Sequence, residues 1–204
     1  MGNSIKRNIT QFALIVFSVM LSLYLSERIE ERKDKRESND LLRTIEAEVK
    51  DNTRLVKKWA PYHRVINKKF DSLANSTAFV AKFVKDKSSL FDELLTAGTF
   101  MGRMPTSDGW EIAKSHPLIV KIDYDKYAVL SRIYTQQGLT FDPGMEMFDL
   151  YNSRDINKEA DAQSNLRLMS DRFRELVSRE NQLLDFYKEG EAILGLKDDK
   201  EVDE

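Results

Sequence analysis

Few side chains in this 204-residue chain are suited to chemistry, and their types narrow the field quickly. Cysteine is absent, which removes disulfides, thiolate metal sites, iron–sulfur clusters and cysteine nucleophiles together. The two histidines, His63 and His116, are far apart, so no paired-histidine zinc motif exists and a histidine-based triad has few candidates. His63 stands between Tyr62 and Arg64, and His116 precedes Pro117; both positions predict surface or helix-end roles. The carboxylate pairs Glu46/Glu48 and Asp92/Glu93 sit one or two residues apart, and on a helix such neighbours diverge rather than share a site. There is no glycine-rich phosphate loop, Gly-x-Ser-x-Gly elbow or His-Glu-x-x-His pattern. The turn-rich stretch Thr99–Gly109 brings Thr106, Ser107 and Asp108 next to Gly109 and Trp110. Ser-Asp-Gly before a tryptophan predicts a helix N-cap, with Ser107 or Asp108 accepting backbone N–H bonds, rather than a nucleophile. No enzyme activity, metal or cofactor is expected. If a small ligand binds, the loop with Arg103 and Trp110 is the place for it, among aromatics such as Trp59, Phe70, Phe83 and Tyr134 that otherwise read as core.

The elements that must position these residues begin with an apolar run. From Asn8 to Ser26, 19 residues carry no charge, and as a helix at ~1.5 Å per residue they span ~28 Å, the thickness of a bilayer core. Lys6 and Arg7 precede the run, and Tyr24 lies near its far end as an interfacial ring. A signal-peptide cleavage site needs small residues at its last and third-last positions. Neither Tyr24-Leu25-Ser26 nor Ser22-Leu23-Tyr24 offers them, so an uncleaved anchor is expected, with the lipid bilayer as partner. Gln11, Ser18, Ser22 and Ser26 fall on one face of this helix, a small polar stripe of the kind used for helix packing in lipid. Association through it, with a second copy or another envelope protein, is the expected mode of partnership. Apart from Lys6 and Arg7 the chain holds 30 bases against 34 acids, a net charge of −4, which lacks the basic excess that nucleic-acid binding requires. Orientation is contested: Arg28, Arg32, Lys33, Lys35 and Arg36 follow the run closely, and counting bases alone keeps the larger part in the cytoplasm.

Beyond the anchor, residues 27–40 hold 11 charged residues of 14, with i,i+4 pairs such as Lys33/Glu37 worth ~0.2–0.5 kcal/mol each. The pattern resumes as Leu42, Ile45, Val49, Asn52, Val56 and Trp59, in steps of three and four. One long helix leaving the membrane and ending near Pro61 is predicted, with an inward Asn52 that could fix register. A second helical pattern runs from Tyr62 to about Val84, interrupted near Asn75-Ser76. A brief helix opens at Trp110 and closes at His116-Pro117. Asp123 caps the next, whose Tyr127, Leu130, Ile133 and Tyr134 face inward until Gly138. Asp142-Pro143-Gly144 is a turn signal, and a last helix runs from Ile156 to Gly190 or Gly195. The domain plan is therefore a tail (1–7), an anchor (8–26), a charged helical stalk (27–40), a bundle (41–196) and a disordered acidic tail (197–204). The fold class is all-α, a transmembrane helix continuing into an antiparallel helical bundle.

Two blocks carry a resemblance. The anchor followed by Leu41-Leu42, Ile45, Glu48 and Asn52, and then Trp110-Glu111-Ile112, Lys114-Ser115, Leu118-Ile119, Leu130 and Tyr134, resemble an uncharacterised family of bacterial single-pass membrane proteins defined only as a domain of unknown function. The likeness covers about residues 9–137. It implies an anchored helical domain outside the cytoplasm, without enzyme activity, and it offers no catalytic residue. A scaffold or assembly subunit is the function expected first, and a sensory or small-ligand-binding domain second.

Overall fold

The structure, a computed structural model, describes residues 2–196, with side chains placed from Gln11 onward; the acidic tail 197–204 lies outside the described residues. Within them the protein is all-helical, with no strand. The elements are α1 (Gly2–Ala74), α2 (Thr77–Lys85), α3 (Ser89–Leu94), α4 (Asp108–Ser115), a 3-10 turn (Pro117–Lys121), α5 (Tyr124–Asn152) and α6 (Ala162–Leu194).

At ~1.5 Å per residue the 73 residues of α1 make a rod about 110 Å long. Its N-terminal part is long and apolar enough to cross a membrane: the most apolar 18-residue window has a mean hydropathy of 1.7, and none of it is buried against the protein. Among the described side chains the first that is buried is Ser38. From Ser26 to there the rod advances about 18 Å along the charged segment, which carries ion pairs such as Arg28–Glu31 and Lys33–Glu37.

The remainder of α1 forms a three-helix bundle with α5 and α6. As the α6 partner moves back from Glu191 through Glu180 and Arg174 to Arg167, the α1 partner climbs from Lys57 through His63 and Asp71 to Asn75, so these two helices are antiparallel. Contacts from α5 to α6 run the same way, from Arg132–Glu189 to Glu146–Arg172. Glycine lets α5 and α6 approach closely. A Cβ on Gly144 would lie 2.8 Å from Leu176 Cδ1, and one on Gly190 would collide with Ile133 Cδ1.

The core has two parts. One, nearer the charged segment, gathers Ile45, Val49, Val56, Trp110, Ile133, Leu183 and Tyr187; the other gathers Phe70, Phe83, Leu94, Met147, Leu166 and Phe173. Phe141 touches both.

Three boundaries differ from those expected. Helix α1 does not end near Pro61 but contains it. Proline there deletes one backbone bond, yet Ala60, His63, Ile66 and Phe70 are buried on both sides of it, and Pro61 itself is exposed, where water reaches the orphaned carbonyl. Likewise Gly138 and Asp142-Pro143-Gly144 lie inside α5, because Gln137, Thr140, Pro143 and Met147 form one continuous buried stripe that overrides the local turn signal. Helix α6 starts at Ala162 rather than Ile156. The Ile156 side chain is buried in the preceding connection, and its carbonyl accepts from Asn165 Nδ2 at 2.9 Å. The interruption at Asn75-Ser76, the Asp123 cap and the stop at Gly195, in the left-handed region at φ 72°, are as expected.

Candidate ligand cleft

Residues 96–107, between α3 and α4, have no regular structure of their own, and side chains of the long helices hold them in place. Asn52 donates to the Thr106 carbonyl at 2.7 Å and accepts from the Thr106 amide at 3.0 Å, a two-point clamp on one residue. Gln137 donates to the same carbonyl at 3.0 Å, and its own oxygen accepts from Asn52 and from the Tyr187 hydroxyl. Further along, Tyr62 Oη accepts from the Ala97 amide, and His63 Nε2 donates to the Phe100 carbonyl at 2.9 Å.

Helix α4 docks at the end of this loop, and its N-terminus is satisfied from a distance. Glu48 on α1 accepts from Gly109 N at 2.9 Å and Trp110 N at 3.4 Å, with Thr106 Oγ1 at 3.3 Å and Tyr134 Oη at 2.6 Å. A carboxylate here caps the first turn and opposes the positive end of the helix dipole. Ser107 occupies the N-cap position without a capping bond, which corrects the expectation that Ser107 or Asp108 would cap. The cause is competition: a carboxylate held on a rigid helix is a stronger acceptor than a loop hydroxyl. Glu46, two residues earlier, diverges as expected and faces Lys126 at 3.8 Å. Partial burial raises its carboxyl above the usual range, an effect the lysine opposes. Burial also pushes the Tyr134 hydroxyl well above the ordinary tyrosine range, helped by its bond to Glu48, and pushes Tyr187 up in the same direction.

Above this network lies a cleft of about 460 Å³ between the loop, α4 and α5. Met104, Pro105, Trp110, Tyr134 and Phe141 supply apolar walls, and Ser107, Thr135 and Gln137 supply polar groups. Trp110 is 4% exposed and stacks on Tyr134 with ring centroids 5.3 Å apart and planes 2° from parallel. Tyr127, expected inward, is 37% exposed and flanks the Trp110 ring at 5.5 Å instead. Trp110 thus lines the cleft. Arg103 is exposed and does not line it. The four residues of the polar stripe, Gln11, Ser18, Ser22 and Ser26, are all exposed on α1, and the Ser18 hydroxyl donates to the Leu14 carbonyl at 2.8 Å.

His63, expected at the surface, is 2% exposed. Its Nδ1 lies 2.7 Å from Glu180 Oε1, and its ring sits between Trp59 and Phe173. Glu180 is fully buried, and its second oxygen has no partner. The signal for His63 was present in the helical spacing from Val56 through Ala60 to Ile66, and reading a stop at Pro61 hid it. His116 is a helix-end residue as expected, accepting from Leu118 N at 3.2 Å. Glu48 and Asn52 of α1 thus meet Trp110 of α4 and Tyr134 of α5 around this loop. Among the described residues no group of three His, Cys, Asp or Glu side chains is placed to hold a metal ion. Comparison with protein-family models, curated proteins and solved structures gives no match.

Proposed function

We propose that the chain is a membrane-anchored helical scaffold or assembly subunit, held in a bacterial inner membrane by residues 8–26, with its bundle on the periplasmic side. It acts by helix packing against a second copy or another envelope protein, without catalysis and without nucleic acid. The observation that carries this reading is α1 itself: one unbroken helix is both the apolar, unburied segment and a full-length member of the bundle. Such continuity suits a part that holds a domain at a fixed height and orientation. Of the interior groups suited to chemistry, Glu48 is bonded to four donors and both nitrogens of His63 to neighbours, while one oxygen of Glu180 is left over. The test has two arms. Paired phosphatase and fluorescent-protein fusions at Glu204 report orientation, and a periplasmic bundle gives active phosphatase and a dark fluorophore. Crosslinking in cells from Ser18 and Ser22, changed to photoreactive residues, is expected to trap a dimer or a partner; a strictly monomeric, uncrosslinked chain defeats the scaffold reading.

The cleft favours a second reading, a small-ligand-binding domain that reports through a partner chain. A cavity of about 460 Å³ lies inside the ~300–1,000 Å³ range of ligand sites. Thermal stabilisation by a metabolite, abolished by Trp110→Ala, supports it, and a broad screen without any shift removes it.

A further inference from the structure

Behind the cleft lies a second cavity, about 70 Å³, walled almost wholly by apolar atoms. Met101, Met104, Met145 and Met147 all line it, four of the seven methionines in the chain. Met104 and Phe141 line both spaces, so the two meet at a wall made of one half-exposed thioether and one ring. His63 also faces the inner chamber, but both of its nitrogens are engaged, with Glu180 and with the Phe100 carbonyl, so it offers the chamber no free donor. Unbranched thioethers change rotamer easily and reshape around apolar guests, which a rigid Leu or Ile wall resists. The chamber is thus apolar and shares a wall with the cleft, and at about 70 Å³ it takes a ring only when the thioethers move aside.

Charge decides the other end of the guest. The only charged residues lining the cleft, Glu111 and Lys114, pair with each other at 2.9 Å. The N-terminus of α4, which would otherwise attract an anion, is already occupied by Glu48. The Glu111–Lys114 pair is largely exposed, so the cleft supplies no buried, unpaired counter-charge to draw a charged head out of water. What the cleft offers is neutral: the Ser107 and Thr135 hydroxyls, the Gln137 amide behind them being taken up by Thr106, Asn52 and Tyr187. We infer that the cleft and the methionine chamber together bind an uncharged amphipathic small molecule, its hydrogen-bonding head in the cleft and its apolar group past Met104 and Phe141. This deepens the second reading above, that the cleft takes a small ligand, and rests on it.

The experiment uses the full chain in lipid nanodiscs, labelled with ¹³C at methionine methyls and ¹⁵N at tryptophan indoles. Three probes share one ring and differ in head charge: benzyl alcohol, benzoate and benzylammonium. The expected result is a saturable shift of the Met101, Met104, Met145 and Met147 methyls and of the Trp110 indole with benzyl alcohol, with the charged probes at least tenfold weaker. Met20, in the apolar part of α1, reports partition into lipid, and Met169, in the core, reports any general loosening of the fold. Gly138 lines the cleft at a helical position where an added Cβ meets nothing within 4 Å. Gly138→Leu should therefore fill the cleft and weaken benzyl alcohol at least tenfold, and Gly138→Ala should retain it. Charged probes that bind as well as the alcohol overturn the inference and leave the cleft reading standing, as does a Trp110 shift without methionine shifts. Silence at both Trp110 and the four methionines overturns both. Thioethers also bind soft cations. Silver(I) that shifts all four methyls at stoichiometric amounts and blocks the alcohol replaces the inference with a soft-metal site.

Discussion

Replacing Glu48 by alanine removes the acceptor of four donors, three of them part-buried, which makes it the sharpest probe of how α4 and the cleft are held. The buried Tyr134 hydroxyl loses its acceptor at 2.6 Å, a desolvated group whose isolation costs about 1–3 kcal/mol. The amides of Gly109 and Trp110 lose their cap, worth about 1 kcal/mol. The Thr106 hydroxyl is exposed enough to find water and adds little. The expected total is about 3 kcal/mol, or roughly 6–12 °C in melting temperature for a domain of this size. Glu48→Gln keeps one acceptor and should lose about half as much. Ser107→Ala, which removes a side chain without a capping bond, should fall within about 0.5 kcal/mol of the parent. The assay is unfolding of the intact chain in mild detergent followed by Trp fluorescence, paired with hydrogen exchange at Gly109 and Trp110. A Glu48→Ala variant as stable as the parent with both amides still protected would falsify the reasoning, as would a Ser107→Ala loss equal to that of Glu48→Ala.

Other outcomes follow from the same packing. Because Tyr134 and Tyr187 hold their protons far above the ordinary range when folded, while the unfolded chain releases them near pH 10, stability is intact below that pH. It should fall above pH 10 by up to about 1.4 kcal/mol per unit for each tyrosine, a slope that Tyr187→Phe makes shallower in alkaline denaturation curves. Gly190→Ala drives a methyl into Ile133 Cδ1 and should cost about 1–3 kcal/mol despite better helix propensity, with Ile133→Val, which deletes that atom, restoring most of the loss in urea titrations. His63→Ala leaves the Glu180 carboxylate buried without its His63 partner and should cost about 3–5 kcal/mol, whereas the double variant His63→Phe/Glu180→Leu should recover much of it; equal losses in the two would remove the pairing from the account.

The helical class was legible because apolar spacing is a property of long stretches, and the stretches from Leu42 to Trp59 and from Leu166 to Tyr187 keep it without interruption. Boundaries failed where a local signal opposed a tertiary one. Pro61 and Pro143 each weigh about 3 kcal/mol against a helix, and each was outweighed by buried residues on both sides that no short window can sum. The loop and Trp110 were located from turn chemistry alone. The bonds from Asn52 and Glu48 to that loop join residues 54 to 62 positions apart, and no spacing rule predicts them. Asn52 was recognisable as an inward polar residue, but the backbone it clamps was not. Arg103 was chosen as a charge in a loop, and loop charges face water unless something buried calls for them.

The continuity of α1 also makes it a shaft with a defined phase. Each residue turns a helix by about 100° and raises it by about 1.5 Å, so the polar stripe at Gln11, Ser18, Ser22 and Ser26 and the cleft-bearing face at Glu48 and Asn52 keep a fixed angle to one another. One residue inserted between Glu27 and Glu37 would swing the cleft through about 100° while barely changing its height, and seven inserted residues would lift it by about 10 Å while nearly restoring its bearing. A neighbour packed against the apolar segment of α1 would thereby set the compass direction in which the cleft opens.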